Sequence, residues 1–76
     1  MKLRDKDVEN IVKWLEERRD ELKETIKQTF VSLKNGLKKE DWDICIVDCE
    51  TLIESLVDLT TTEHVIEKIK DLVIEE

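Results

Sequence analysis

The sequence has almost none of the residues that reverse a chain tightly. Its 76 residues include one glycine, no proline, no tyrosine and no alanine. An all-β fold needs many tight turns, and glycine and proline build most of them. The apolar residues are mostly aliphatic, with only one phenylalanine and two tryptophans. Helices are therefore the expected secondary structure.

Long apolar segments are also missing. No apolar run approaches the roughly 20 residues that a membrane-spanning helix needs, and no signal-peptide segment follows the opening MKLRDKD. We therefore expect a cytoplasmic protein with no membrane contact. Cys45 and Cys49 lie four residues apart on one helical face, where a disulfide would be distorted, so we expect reduced thiols.

The residues that most enzymes need are scarce. Nucleophilic catalysis requires a base close to a Ser, Cys or Thr side chain, and the chain has a single histidine, His64, and two serines. Glycine-rich phosphate loops are absent. In an antiparallel bundle, His64 would lie about 10 Å along the axis from Cys49, at 1.5 Å per residue, whereas zinc ligands converge on one point. We expect no catalysis, no metal and no cofactor.

Apolar periodicity predicts three helices in a single domain, residues 1–76. In the first, Asp7 is a candidate N-cap and Asn35-Gly36 a candidate left-handed C-cap. Thr60 and Glu63 form a capping box that opens the third. The predicted helices span about residues 7–35, 41–59 and 61–75. Short links between amphipathic helices favour an all-α, three-helix antiparallel bundle.

The second helix is predicted from the stretch DWDICIVDCE and the residues after it. Asp41 is its candidate N-cap. Its predicted core face consists of Trp42, Cys45, Ile46, Cys49, Leu52, Ile53 and Leu56. Residues 35–53, about a quarter of the chain, resemble the helix-turn-helix junction of a tetratricopeptide repeat, in which a Gly and an Asp-aromatic pair precede small and aliphatic residues. The resemblance implies a helical hairpin at this point.

The predicted helices differ in length. At 1.5 Å per residue they would be about 42, 28 and 21 Å long, so the first would extend beyond the others at its N-terminal end. The apolar residues of that overhang are Val8, Ile11, Val12, Trp14 and Leu15. Left in water together they would form an apolar patch typical of an interface. Either helix 1 breaks near residues 16–21, or self-association as a homodimer or higher oligomer covers it.

Charge is unevenly distributed along the chain. Residues 1–39 carry eleven Lys or Arg against eight Asp or Glu, a net of +3, and residues 40–76 carry two against twelve, a net of −10. In the predicted third helix the acids are Glu63, Glu67, Asp71 and Glu75. One edge of the predicted second helix carries the acids Asp43, Glu50, Glu54 and Asp58, next to the aliphatic pair Ile44 and Val47.

Acids with aliphatic residues among them suit a basic protein partner, because acids steer the encounter and buried aliphatic groups add affinity. We therefore expect a small regulatory protein that binds a basic surface, such as that of a DNA-binding protein or nuclease, by nucleic-acid mimicry. A structural homo-oligomerisation module with a solvated acidic face is the alternative. Nucleic-acid binding through Arg18, Arg19, Lys23 and Lys27 is less favoured, since acids alternate with these cations.

Overall fold

The protein folds as an antiparallel hairpin of two long helices. The computed structural model describes the backbone of residues 5–74 and the side chains of residues 6–71. Helix α1 spans Asp5–Lys39 and helix α2 spans Trp42–Ile74. The hairpin is 55 Å long and about 15 Å across. The all-helical class is confirmed, but the three-helix bundle is not, because residues 5–74 form two helices.

The turn between the helices ends α1 four residues later than predicted. Glu40 has a left-handed backbone, with φ of 56°. Its N–H donates to the Leu37 carbonyl at 3.2 Å, and the Asp41 N–H donates to the Gly36 carbonyl at 2.9 Å. This pair of bonds defines a Schellman motif with Glu40 as its left-handed residue. The predicted cap at Asn35-Gly36 is wrong, since α1 continues through both residues.

The start of α2 agrees with the sequence. Asp41 Oδ1 accepts a hydrogen bond from the Ile44 N–H at 3.3 Å, and the Asp41 carbonyl accepts one from the Cys45 N–H at 3.1 Å. These are the bonds of an N-cap residue. The predicted N-cap at Asp41 is therefore confirmed.

Helix α2 runs without a break through the segment predicted to separate two helices. The Thr60 hydroxyl donates to the Leu56 carbonyl at 2.9 Å, within the helix, instead of capping a new one. No glycine or proline interrupts this segment. The first half of α1 also lies alongside it and provides a surface to pack on. The predicted helix 61–75 is thus the second half of α2.

A single seam joins the two helices. Buried and half-buried positions alternate at four- and three-residue steps, a heptad period of 3.5 residues that is typical of coiled coils. In α1 the seam positions are Val8, Val12, Leu15, Arg19, Leu22, Ile26, Thr29, Leu33 and Gly36. In α2 they are Cys45, Asp48, Leu52, Ser55, Leu59, Thr62, Ile66 and Ile69.

The overhang predicted for the N-terminal end of α1 is absent. The two helices have 35 and 33 residues, so they nearly match in length. Val8 is buried and Val12 and Leu15 are half-buried in the seam, while Ile11 and Trp14 are exposed. The length mismatch that suggested self-association at this end does not exist.

Candidate interaction surfaces

One exposed side of the first half of α2 combines acids with aliphatic residues, and its members Ile44 and Asp58 lie beside α1. We call it the acidic outer face. It consists of Asp43, Ile44, Val47, Glu50, Glu54 and Asp58, all exposed. Ile44 and Val47 keep 45% and 59% of their surface exposed, although both are apolar. The structure thus brings these six predicted partner-binding residues onto adjoining positions of one helix.

Few cations neutralise this face within the described part of the chain. Asp58 forms an ion pair with Arg18 at 4.0 Å, and both side chains are about half exposed. Exposed pairs of this kind contribute only about 0–1 kcal/mol. No ion pair among the described side chains involves Asp43, Glu50 or Glu54. Their charge is therefore open to a partner.

The acids of the second half of α2 lie elsewhere on the helix. Glu63, Glu67 and Asp71 are exposed, whereas Glu75 falls outside the described residues. Glu63 directly follows the seam residue Thr62, so this run begins beside the seam and reaches the outer side only at Asp71. Five residues separate it from Asp58, a rotation of about 140° at 3.6 residues per turn. The two acidic runs therefore occupy different sides of α2.

A second exposed surface surrounds the turn and is apolar. We call it the turn-proximal apolar face. It consists of Phe30, Leu37, Trp42, Ile46, Ile53 and Leu56. Each of these side chains keeps between 49% and 63% of its surface exposed. Lys34 places its ammonium 5.2 Å from the centre of the Phe30 ring, which is a cation–π contact.

These six residues lie on one side of the hairpin because of their heptad positions. In an antiparallel pair of helices, residues that follow the second seam position of each heptad flank the seam on the same side. Phe30 and Leu37 follow Thr29 and Gly36 in this way, and Leu56 follows Ser55. The residues that precede the first seam position of each heptad flank the opposite side. Arg18 and Asp58 are two of these, and they form an ion pair there.

The sequence assigned four residues of this face to the core. With α1 as the only neighbouring helix, α2 can bury a single stripe, and Cys45, Leu52 and Leu59 occupy it. Trp42, Ile46, Ile53 and Leu56 therefore remain exposed, and their assignment to the core is wrong. A signal for this was present in the sequence. The broad apolar stripe contains two interleaved heptad patterns, one through residues 45, 52 and 59 and one through 42, 49 and 56.

Trp14 is the most exposed large apolar side chain of the described residues, at 64%. It lies near Glu17, Arg18 and Glu21 on α1. Arg18 flanks the seam on the side opposite to the turn-proximal apolar face. Trp14 and that face are thus separate features.

The two cysteines occupy different environments, although the sequence predicted that they lie on the same face of a helix. Cys45 is buried in the seam and Cys49 is exposed beside the turn-proximal apolar face; both are free thiols. Burial raises the pKa of the Cys45 thiol, and nearby Cys49, Asp41 and Asp48 raise it further. Across the side chains of residues 6–71, no group of three or more His, Cys, Asp or Glu could hold a metal ion.

Comparison with known proteins yields no relative. No protein-family model, no curated protein and no solved structure matches this chain. Within residues 5–74 neither helix is both long and apolar enough to cross a membrane.

Proposed function

We propose that this chain is a small regulatory or adaptor protein that binds a basic protein surface through the acidic outer face of α2. The observation that carries the proposal is the exposure of Ile44 and Val47 among exposed acids along one side of α2. Carboxylates alone would keep the surface soluble. Aliphatic side chains among the carboxylates also provide apolar surface that a basic partner can bury.

A narrower form of the proposal concerns proteins that bind nucleic acid. Glu50, Glu54 and Asp58 follow one another at four-residue steps and are all exposed. Residues at this spacing lie about 6 Å apart on a helix, a separation comparable to that of phosphates along a strand. A DNA-binding protein or nuclease could therefore accept this row in place of a phosphate backbone.

Two synthetic peptides can test the general proposal. One is a basic amphipathic helix with lysines around a leucine stripe, and the other is the same peptide with glutamines in place of the leucines. We expect the protein to bind the leucine peptide more tightly, in fluorescence anisotropy, because only this peptide can cover the aliphatic residues. Replacing Val47 by Ser should remove most of the difference between the peptides.

Charge reversal provides the matched comparison. Glu54→Lys should weaken binding of the leucine peptide, whereas Glu24→Lys, an equal change at an exposed position of α1, should leave it nearly unchanged. Equal losses from both variants would show that only net charge matters, and would contradict the proposal. For the narrower form, a homeodomain is a suitable probe: the protein and duplex DNA should compete for it, and simultaneous binding would exclude mimicry.

A further inference from the structure

Helix α2 has two helix-packing stripes, and the hairpin supplies a neighbour for one of them. The seam stripe includes Cys45, Leu52 and Leu59 and packs on α1. The exposed stripe repeats the same four- and three-residue steps through Trp42, Ile46, Cys49, Ile53 and Leu56. Alternation of this kind is the pattern of a helix that packs along another helix. The exposed stripe therefore has the form of an interface without its second helix.

The exposed area agrees with what a small dimer requires. Aromatic side chains bury about 150–250 Å² each, and leucine and isoleucine lie near the lower end of that range, so two aromatic and four aliphatic side chains at about half exposure provide roughly 600 Å² per copy. The aliphatic stems of flanking lysines and glutamates add to this. Stable interfaces bury about 800 Å² per partner. The turn-proximal apolar face is thus close to sufficient for one copy to dock on another.

Charges along the edges of the face indicate which arrangement of two copies is favourable. On the α1 edge are Lys27 and Lys34, and on the α2 edge are Asp43 and Glu50. A two-fold axis parallel to the helices would lay α1 of each copy on α2 of the other, with lysines against acids. An axis across the helices would instead lay lysines on lysines and acids on acids, and like charges repel.

The extent of the apolar residues favours the same arrangement. They are confined to the half of the hairpin near the turn; on the other half, the same side carries charged residues such as Glu16, Glu63 and Lys70. A parallel axis places the two turns at the same end, so the apolar halves cover each other. With fully overlapped hairpins and turns at opposite ends, each apolar half would meet a charged half.

We propose that a second copy of this chain docks on the turn-proximal apolar face, with both turns at the same end and α1 of each copy lying on α2 of the other. The assembly is a four-helix bundle in which every neighbouring pair of helices is antiparallel, a common arrangement. It shares only the edge residues Asp43 and Glu50 with the acidic outer face and leaves Ile44 and Val47 uncovered, so neither proposal depends on the other.

Sedimentation equilibrium over a wide range of concentrations tests the dimer. The protein should sediment as a dimer at micromolar concentrations, and Ile53→Glu should raise the dimer dissociation constant by about a hundredfold or more, because a charge would be buried without a partner. Val47→Glu, an equal change at a similarly exposed position of the acidic outer face, should leave the dimer intact. A monomer at all concentrations, or equal effects of both variants, would overturn the proposal.

The fluorescence of Trp42 is a second test of dimer formation, because this residue lies within the turn-proximal apolar face. In Trp14→Phe, Trp42 is the only tryptophan, and its emission should shift to shorter wavelength as the concentration rises through the dissociation constant. Circular dichroism of each variant shows whether the helices are retained. Emission that does not change across the transition seen by sedimentation would place the interface elsewhere and overturn the proposal.

Paired charge reversals test the orientation. Lys27→Glu with Lys34→Glu should weaken the dimer, because acids would then face the partner's Asp43 and Glu50. Adding Asp43→Lys and Glu50→Lys to the same chain should restore it. If the turns were at opposite ends, each α1 edge would face the same edge of the other copy, so like charges would meet before and after the reversal. The lysine reversals alone would then leave the dimer nearly unchanged, and that result would exclude the proposed orientation.

Discussion

Gly36 of α1 lies directly against Cys45 of α2 at the closed end of the hairpin. A Cβ atom at position 36 would be 3.2 Å from the Cys45 Sγ and 3.4 Å from the Ile44 Cγ2. The first distance is shorter than ordinary van der Waals contact. The glycine therefore allows the two helices to approach closely just before the turn, and the turn depends on that approach.

Substitutions at Gly36 should reveal this close contact. Gly36→Leu should lower the free energy of unfolding by about 1–3 kcal/mol through overpacking. Gly36→Ala should remain within about 1 kcal/mol of the natural chain, because better helix propensity offsets the small clash. Urea denaturation at fixed protein concentration measures both. Asn35→Leu, at the exposed neighbouring position, is the control, and an equal loss there would contradict a specific contact at Gly36.

Glu40 holds the left-handed position that closes α1. A non-glycine residue in this conformation costs roughly 1–2 kcal/mol relative to glycine, part of which glycine loses again through the flexibility of the unfolded chain. We expect Glu40→Gly to raise the free energy of unfolding by up to about 1 kcal/mol. Lys39→Gly, one residue earlier and still helical, should lower it by a similar amount. The opposite order of stability would place the end of α1 elsewhere.

The effect on stability of replacing Thr60 distinguishes one continuous α2 from two separate helices. If Thr60 were an N-cap, Thr60→Ala would cost about 1 kcal/mol. Inside a helix, where its hydroxyl bonds to the Leu56 carbonyl, the same change should be neutral or slightly stabilising, since alanine is the better helix former. Thr61→Ala is the matched control, and the two variants should behave alike in thermal denaturation. A clear loss at Thr60 alone would indicate a break.

The two thiols should differ in reactivity. Cys49 is exposed, whereas Cys45 is buried with a raised pKa, so an alkylating reagent should modify Cys49 first. Mass spectrometry of digested samples gives the order. Comparable rates at both cysteines would show that Cys45 is not protected by the seam.

The raised pKa of Cys45 also makes a prediction about stability. Below the ordinary thiol pKa, the thiol is protonated in both the folded and the unfolded chain and contributes no pH dependence. Above it, the unfolded chain loses this proton first, so the free energy of unfolding should fall as pH rises. Denaturation at several alkaline pH values measures the slope. Cys45→Ala should reduce that slope, and an unchanged slope would assign it to other groups.

Particular residues show how far the sequence could predict the fold. Asp41 acts as an N-cap through local bonds, and local chemistry was enough to identify it. The Thr60–Glu63 box has the same local appearance, but capping competes there with continuation of a helix that has a surface to pack on. The packing of Leu59 and Ile66 against α1 favours a continuous helix. This contact involves distant residues, so the sequence of the segment alone could not predict it.

The acidic outer face was predictable for the same reason that Asp41 was. Its residues adjoin one another on a single helix, so spacing alone brings Val47 next to Asp43 and Glu50. The turn-proximal apolar face was not predictable in this way. Phe30 and Trp42 belong to different helices, and whether α2 buries one stripe or two depends on how many helices surround it.

By itself the sequence determined that the chain is helical, that a turn follows the first basic half, and that the second half carries the acids. These properties follow from composition, capping and the spacing of apolar residues, which act within a few turns of helix. Only the tertiary structure decided that there are two helices, that Gly36 meets Cys45, and that an apolar face stays open beside the turn. Those outcomes depend on contacts between residues far apart in the chain, where packing outweighs the weaker local preferences.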